Sequence, residues 1–176
     1  MIRPDIYPRV LAHRLIFGVV AQNQTTDRLF ETPVMMSLAL PDRQFVRLLV
    51  LTVLRHYLRL EAGVTFFLKR PLPAKRKDVL LALMIGLAEL YYLKTPPHAA
   101  VDTTVELVKA LKQQPFVALT NAVLRTCVRQ KDRLPDLLAV APAIPDWLAH
   151  SWIPAYGETA TDKIIRAMGV EQPLHI

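Results

Sequence analysis

The feature that most constrains this chain is the stretch 78–93, DVLLALMIGLAELYYL, which is apolar on every side except at Asp78 and Glu89. A helix with one apolar stripe can lie on a surface, but a helix apolar all round is stable only when other elements surround it. The stretch therefore predicts the central post of a helical bundle. Pro96-Pro97 ends it, because proline lacks the amide that the helix ladder needs and restricts the residue before it. A second apolar-periodic run covers 98–112. Pro115 then stands where the first turn of a third run tolerates it. No stretch alternates like a half-buried strand, so the expected fold is all-α.

The chain has 176 residues, enough for one domain or for one domain with a substantial extension. Its 5 glycines and 14 prolines point to helices stopped by proline rather than to a glycine-rich nucleotide fold. The single cysteine excludes an intrachain disulfide and a cysteine-rich zinc site. Arg9, His13 and Arg14 interrupt the apolar residues near the start, so no signal-peptide core is legible. The run 79–93 is too short to cross a bilayer easily and contains Glu89. These features predict a cytoplasmic chain with no membrane partner.

Charge is unevenly distributed. After Arg133 the only basic residues are Lys163 and Arg166, against Asp136, Asp146, Glu158, Asp162 and Glu171. The remaining 20 of the 22 basic residues and 10 of the 15 acidic ones precede that point. A basic body with an acidic tail fits a nucleic-acid partner through phosphate neutralisation, and equally an ordinary basic surface or an acidic protein partner. Two regions follow: a helical body over 5–133 and a helical extension over 134–176.

Along the body, a first helix is expected over 8–22, with Leu11, Leu15, Ile16 and Val19 inward and Arg9 and Arg14 on different faces. A stronger helix opens at Pro41-Asp42 and turns Phe45, Leu48, Leu49, Thr52 and Val53 inward. Gly63 permits a break before a short apolar helix over 64–68. Lys75, Arg76 and Lys77 form the densest positive patch, just ahead of the central helix. They suit a phosphate-contacting loop or a solvated one. In the third run Phe116, Leu119, Val123, Leu124 and Cys127 share an arc, which makes Cys127 packing material. Arg125 and Arg129, four apart and exposed, can reach one phosphate track. Asn121, between the arcs, is expected to lock onto a neighbouring helix end or loop. In the extension, Trp147 and Trp152 are expected to anchor the tail to the body, or else to form a surface for a further domain. The abrupt apolar end at 172–176 hints that the chain continues in a longer protein.

Catalytic patterns are missing from the sequence. The histidines 13, 56, 98, 150 and 175 show neither HExxH nor metal-ligand spacing, and no GxGxxG, GxxxxGK or GxSxG occurs. His98, at a helix opening after two prolines, reads as structural. Asp102 and Glu106 read as surface electrostatics, and Glu89 as a carboxylate bonded to a neighbour. No catalytic residue, metal site or cofactor is assigned to this chain.

Several motifs taken together carry a resemblance. They are Arg9-x-x-Ala12, Asp42-Arg43-x-Phe45 with Val53-Leu54-Arg55, Leu90-Tyr91-Tyr92-Leu93, Pro97-His98-Ala99-Ala100-Val101 with Thr104-Val105-Glu106-Leu107, and Phe116-Val117 with Asn121-Ala122-Val123-Leu124-Arg125. In these the chain resembles the NusB-like RNA-binding domain. It is most similar to the amino-terminal domain of bacterial ribosomal RNA cytosine-5 methyltransferases of the RsmB (Sun/Fmu) type. The resemblance implies two packed helical sub-bundles with a short carboxy-terminal extension, and a role in positioning ribosomal RNA for a catalytic domain that uses S-adenosylmethionine. It implies a phosphate role for Arg9 and, less directly, Arg14, and a structural role for Asn121. The chain departs from the family at Thr52, where glycine is usual, and in three extra residues between the Phe-Val and Asn-Ala-Val-Leu-Arg halves. A NusB-like antitermination module and a helical protein-interaction module are the alternatives.

Overall fold

The computed structural model describes residues 3–169, and every regular element in that range is helical. The chain end at 172–176, read above as a hint of continuation, lies outside the described residues. The helices are α1 (Tyr7–Gln22), α2 (Thr26–Phe30), α3 (Pro33–Met36), α4 (Leu40–Arg55), α5 (Tyr57–Phe67), α6 (Lys77–Tyr91), α7 (Pro97–Ala110), α8 (Val117–Arg129), α9 (Leu134–Val140), α10 (Asp146–Tyr156) and α11 (Glu158–Gly169). Short 3-10 turns at Ala74–Arg76, Gln114–Phe116 and Lys131–Arg133 lead into α6, α8 and α9.

The proline punctuation acts at helix starts as much as at stops. α1, α3, α4, α7 and α9 each carry a proline in their first two positions, where no amide is needed. The central helix is α6, as its composition requires. Val79 and every residue from Leu81 to Glu89 are buried, and α1, α4, α5, α7 and α8 all pack against it. α1 to α8 form the body, and α9 to α11 follow as the extension.

Glycine lets the neighbours of α6 approach closely. A Cβ on Gly86 would lie 2.6 Å from the Thr104 hydroxyl of α7 and 2.9 Å from Leu124 of α8. Gly63 plays the same part on α5, where a Cβ would meet Leu87 and Leu138 at 2.9 Å. The helix is continuous through Gly63. The break expected there falls instead at His56, between α4 and α5. Close packing, rather than a turn, accounts for this glycine.

Two other expectations are corrected. Leu48 points outward, 39% exposed, and Val46 and Val50 take the inward positions of α4 beside Leu49 and Val53. Trp147 does not anchor the tail: it is 70% exposed, and α10 buries no residue at all. The buried apolar side chains of the extension are instead Leu134 and Leu138 on α9 and Ile144 between α9 and α10.

Candidate nucleic-acid interface

Much of the basic surplus is committed to the fold. Arg9, on α1, donates from Nε and Nη2 to Oε2 and Oε1 of Glu89 at 3.0 and 2.5 Å, and from Nη1 to the Asp5 carbonyl at 2.9 Å. Its guanidinium also lies 4.9 Å from the ring centre of Phe45 on α4. Glu89 is fully buried in α6, so this fork is the carboxylate's partner. The guanidinium to which the resemblance gives a phosphate role is thus held by a buried carboxylate, with 13% of its side chain exposed. Glu89 is bonded to a neighbour as read, but from the middle of the core rather than a helix edge.

Arg43 ties the end of α3 to α4 by donating to the carbonyls of Met36 and Leu38 at 2.8 and 3.0 Å. Arg47 lies over Phe30 and Arg76 over Phe116, at 4.8 and 5.3 Å. Cation–π placement of this kind holds a charged head against an apolar body without burying the charge. The Asp42-Arg43-x-Phe45 motif is thus a structural one, since Arg43 fixes a loop and Phe45 carries Arg9.

The other basic residues singled out in the sequence fall into two patches. At the first end, Arg14, Asp78 and Leu111 line a common hollow, which places Arg14 beside the start of α6 and the end of α7. Lys75, Arg76 and Lys77 stand at that start. Arg76 donates to Gln113 Oε1 at 3.0 Å, while Lys75 is exposed. His13 Nε2 donates to the Asp78 carbonyl at 2.8 Å and fixes α1 against α6 here. Burial holds its imidazole below the usual range.

The second patch is a cleft of about 720 Å³ on the outer side of α7 and α8, with Val101, Val105 and Val128 among its lining. Arg125 and Arg129 line it from α8, and His98, exposed at the start of α7, faces them. Asn121 Oδ1 accepts from Arg125 Nε at 3.0 Å, and Arg129 Nη2 donates to the Thr126 hydroxyl at 2.9 Å. Asn121 therefore does not reach a neighbouring helix end, as had been expected. It positions Arg125 at the cleft. Asp102 is the one carboxylate in the lining, and it shares Arg3 with Asp5: the guanidinium reaches Asp102 at 3.1 Å and Asp5 at 2.7 Å. Among the described residues neither Arg125 nor Arg129 is paired with a carboxylate.

The two patches do not converge. Arg76 sits over the residue that precedes α8, whereas Arg129 ends it, and the 13 residues between span about 20 Å. Sequence reasoning missed Arg3, which has no helical periodicity to betray it. Cys127 lies wholly inside, and burial pushes its thiol up to about 12, which removes the thiolate needed for nucleophilic work. Among the described residues no group of three or more acidic, histidine or cysteine side chains is placed to hold a metal ion, and no helix is long and apolar enough to cross a membrane.

The family model described as the NusB family matches residues 7–129, which covers α1 to α8 and both patches. The chain belongs to the NusB family. This NusB domain and its extension are also similar to the protein named ribosomal RNA small subunit methyltransferase B. The version from Salmonella paratyphi B is 31% identical over 169 residues, and those from Salmonella newport and Salmonella enteritidis PT4 are 32% identical. In each case the alignment covers 94% of this chain and 39% of the relative. The part of the relative that aligns is its amino-terminal region.

Proposed function

We propose that this NusB domain binds ribosomal RNA and positions it for a cytosine-5 methyltransferase domain such as the longer relatives carry. The observation that carries this reading is the α7–α8 cleft. Two guanidiniums stand one helical turn apart on its wall, each steadied by a hydrogen bond, over a valine floor. The only carboxylate in the lining, Asp102, is bonded to Arg3, which it shares with Asp5. Planar guanidiniums match phosphate oxygens in pairs, and preordering them lowers the cost of binding. The Arg14, Lys75 and Lys77 patch, on this reading, makes a second phosphate contact about one α8 length away. The 31–32% identity to proteins named as ribosomal RNA methyltransferases supports the choice of RNA.

In this reading residues 5–133 are the RNA-binding unit, 134–176 lead toward the catalytic portion, and the protein works in the cytoplasm. The methyl donor S-adenosylmethionine belongs to that portion. The described residues, all helix and connecting loop, do not fit it, because they offer no strand followed by a glycine-rich loop to cradle it. No catalytic step is assigned to this chain. The exposed Trp147, Ile153 and Tyr156 of α10 favour a contact between the extension and protein rather than RNA.

Binding to ribosomal RNA fragments across a salt series tests the proposal. Arg129→Ala is expected to weaken binding alike for unrelated sequences, and to flatten the log–log salt slope by about 0.7 to 0.9. Lys163→Ala in the acidic extension should leave both unchanged. A wild-type chain with no salt-sensitive RNA binding would move the assignment to a protein-interaction module.

A further inference from the structure

We infer that Phe66 is a stacking platform for an unpaired RNA base, a site beyond the cleft of Arg125 and Arg129. The inference rests on the RNA reading proposed above. Phe66 is the penultimate residue of α5, and the residue is 50% exposed although the neighbouring Phe67 is half-buried against the core. Isolated apolar side chains on a surface need no explanation. This ring differs in being held and in its company. Phe67 meets it edge-on at 5.1 Å and 89°, which limits its rotation. The Arg133 guanidinium lies 5.4 Å from its centre and is itself fixed by donating to Gln130 Oε1 at 3.0 Å.

Exposed cations neighbour this pair in the chain. Lys69 and Arg70 follow α5 after Leu68, and Lys131 stands two residues before Arg133, with Asp132 as the one carboxylate between. Arg133 is four residues beyond Arg129 in the chain, in the 3-10 turn that follows α8. Cations beside an exposed aromatic ring are what sequence-tolerant binding of single strands requires. Phosphates are held by charge, and a base is held by its π-face. A duplex cannot use such a platform unless a base leaves the stack. The occupant is therefore single-stranded RNA or an unpaired nucleotide in a ribosomal RNA loop.

The test measures binding of the whole chain to an oligoadenylate, an oligouridylate and an RNA duplex, with 2-aminopurine placed in the single strands as a stacking reporter. Phe66→Ala should lower single-strand affinity by about 5- to 150-fold and abolish the quenching of 2-aminopurine. It should leave the salt slope and duplex affinity at wild-type values, because no charge is lost. Phe66→Tyr should restore affinity and quenching, which a variant that merely filled space would not do. Single-strand affinity within twofold of wild type for Phe66→Ala would overturn the platform, as would an equal loss on the duplex. Wild type that binds no RNA at all would overturn the proposed function and the platform together. Wild type that binds normally beside an unaffected Phe66→Ala would overturn the platform alone.

Discussion

Arg9 and Glu89 stand 80 positions apart in the chain and share a two-pronged hydrogen-bonded ion pair, with the carboxylate entirely inside the bundle. The pair joins α1 to the central helix and leaves Glu89 no other strong partner. Its removal from one side strands a charge in the core. Glu89→Ala leaves Arg9 facing an apolar gap, and Arg9→Ala leaves the carboxylate unpaired. Each should cost about 3 to 5 kcal/mol in urea unfolding. Replacing both, as Arg9→Met with Glu89→Leu, should cost much less than either alone. Arg9→Ala should leave RNA affinity per folded molecule unchanged, and a selective loss of RNA binding at wild-type stability would show that the guanidinium turns outward in solution.

Gly86 sits in the middle of a helix, where alanine would be favoured by about 1 kcal/mol on propensity alone. The Thr104 hydroxyl and Leu124, at 2.6 and 2.9 Å from the position a Cβ would take, reverse that preference. Overpacking costs about 1 to 3 kcal/mol, so Gly86→Ala should be destabilising. Adding Thr104→Ser, which removes a methyl but keeps the offending hydroxyl, should not rescue it. Adding Thr104→Ala should recover part of the loss. A Gly86→Ala variant more stable than wild type would show that α7 can move aside.

Acid should weaken the fold through two histidines. His56 stacks on Tyr92 at 3.9 Å and 6°, and burial first, then the charges of Arg55 and Arg59, push its imidazole down to about 4. His13 is shifted in the same direction, chiefly by burial. The unfolded imidazole takes up its proton near 6.5, whereas folded His56 resists until about 4. Its contribution is therefore intact above 6.5, falls as the pH drops from 6.5 toward 4, and levels off below. Urea midpoints measured between pH 7.5 and 4 should decline over that window, and His56→Gln should decline less steeply. Equal slopes would mean that His56 is protonated in the folded state.

Cys127 should behave as a buried hydrocarbon-like side chain. With its thiol pushed up to about 12, reaction with a disulfide reagent at pH 8 should be slow in the native protein and fast in urea. Cys127→Ser should cost about 1 to 3 kcal/mol, because a hydroxyl replaces a packed sulfur. Rapid labelling of the native protein would place α8 in a different rotation.

The sequence by itself determined the helical class and the central position of α6, because a run apolar on all sides has only one way to leave water. It also determined the helix ends that proline marks, since proline acts within a residue or two of where it stands. The inward arc of Val123, Leu124 and Cys127 was legible for the same local reason, the 3.6-residue period. What only the tertiary structure decided were relations between distant positions. An arginine at residue 9 reads as a free cation until a carboxylate 80 positions on is found inside the core, where a buried charge must have a partner. Gly63 reads as a break until Leu87 and Leu138 are seen against it. Whether the basic residues share one face is open in the sequence, until α8 is seen to separate Arg76 from Arg129. Trp147 reads as an anchor until it is found exposed, with Leu134, Leu138 and Ile144 buried instead. A side chain's hydrophobicity or charge is local, but its burial, pairing and company depend on which helices meet, and that is settled by the packing of the whole body.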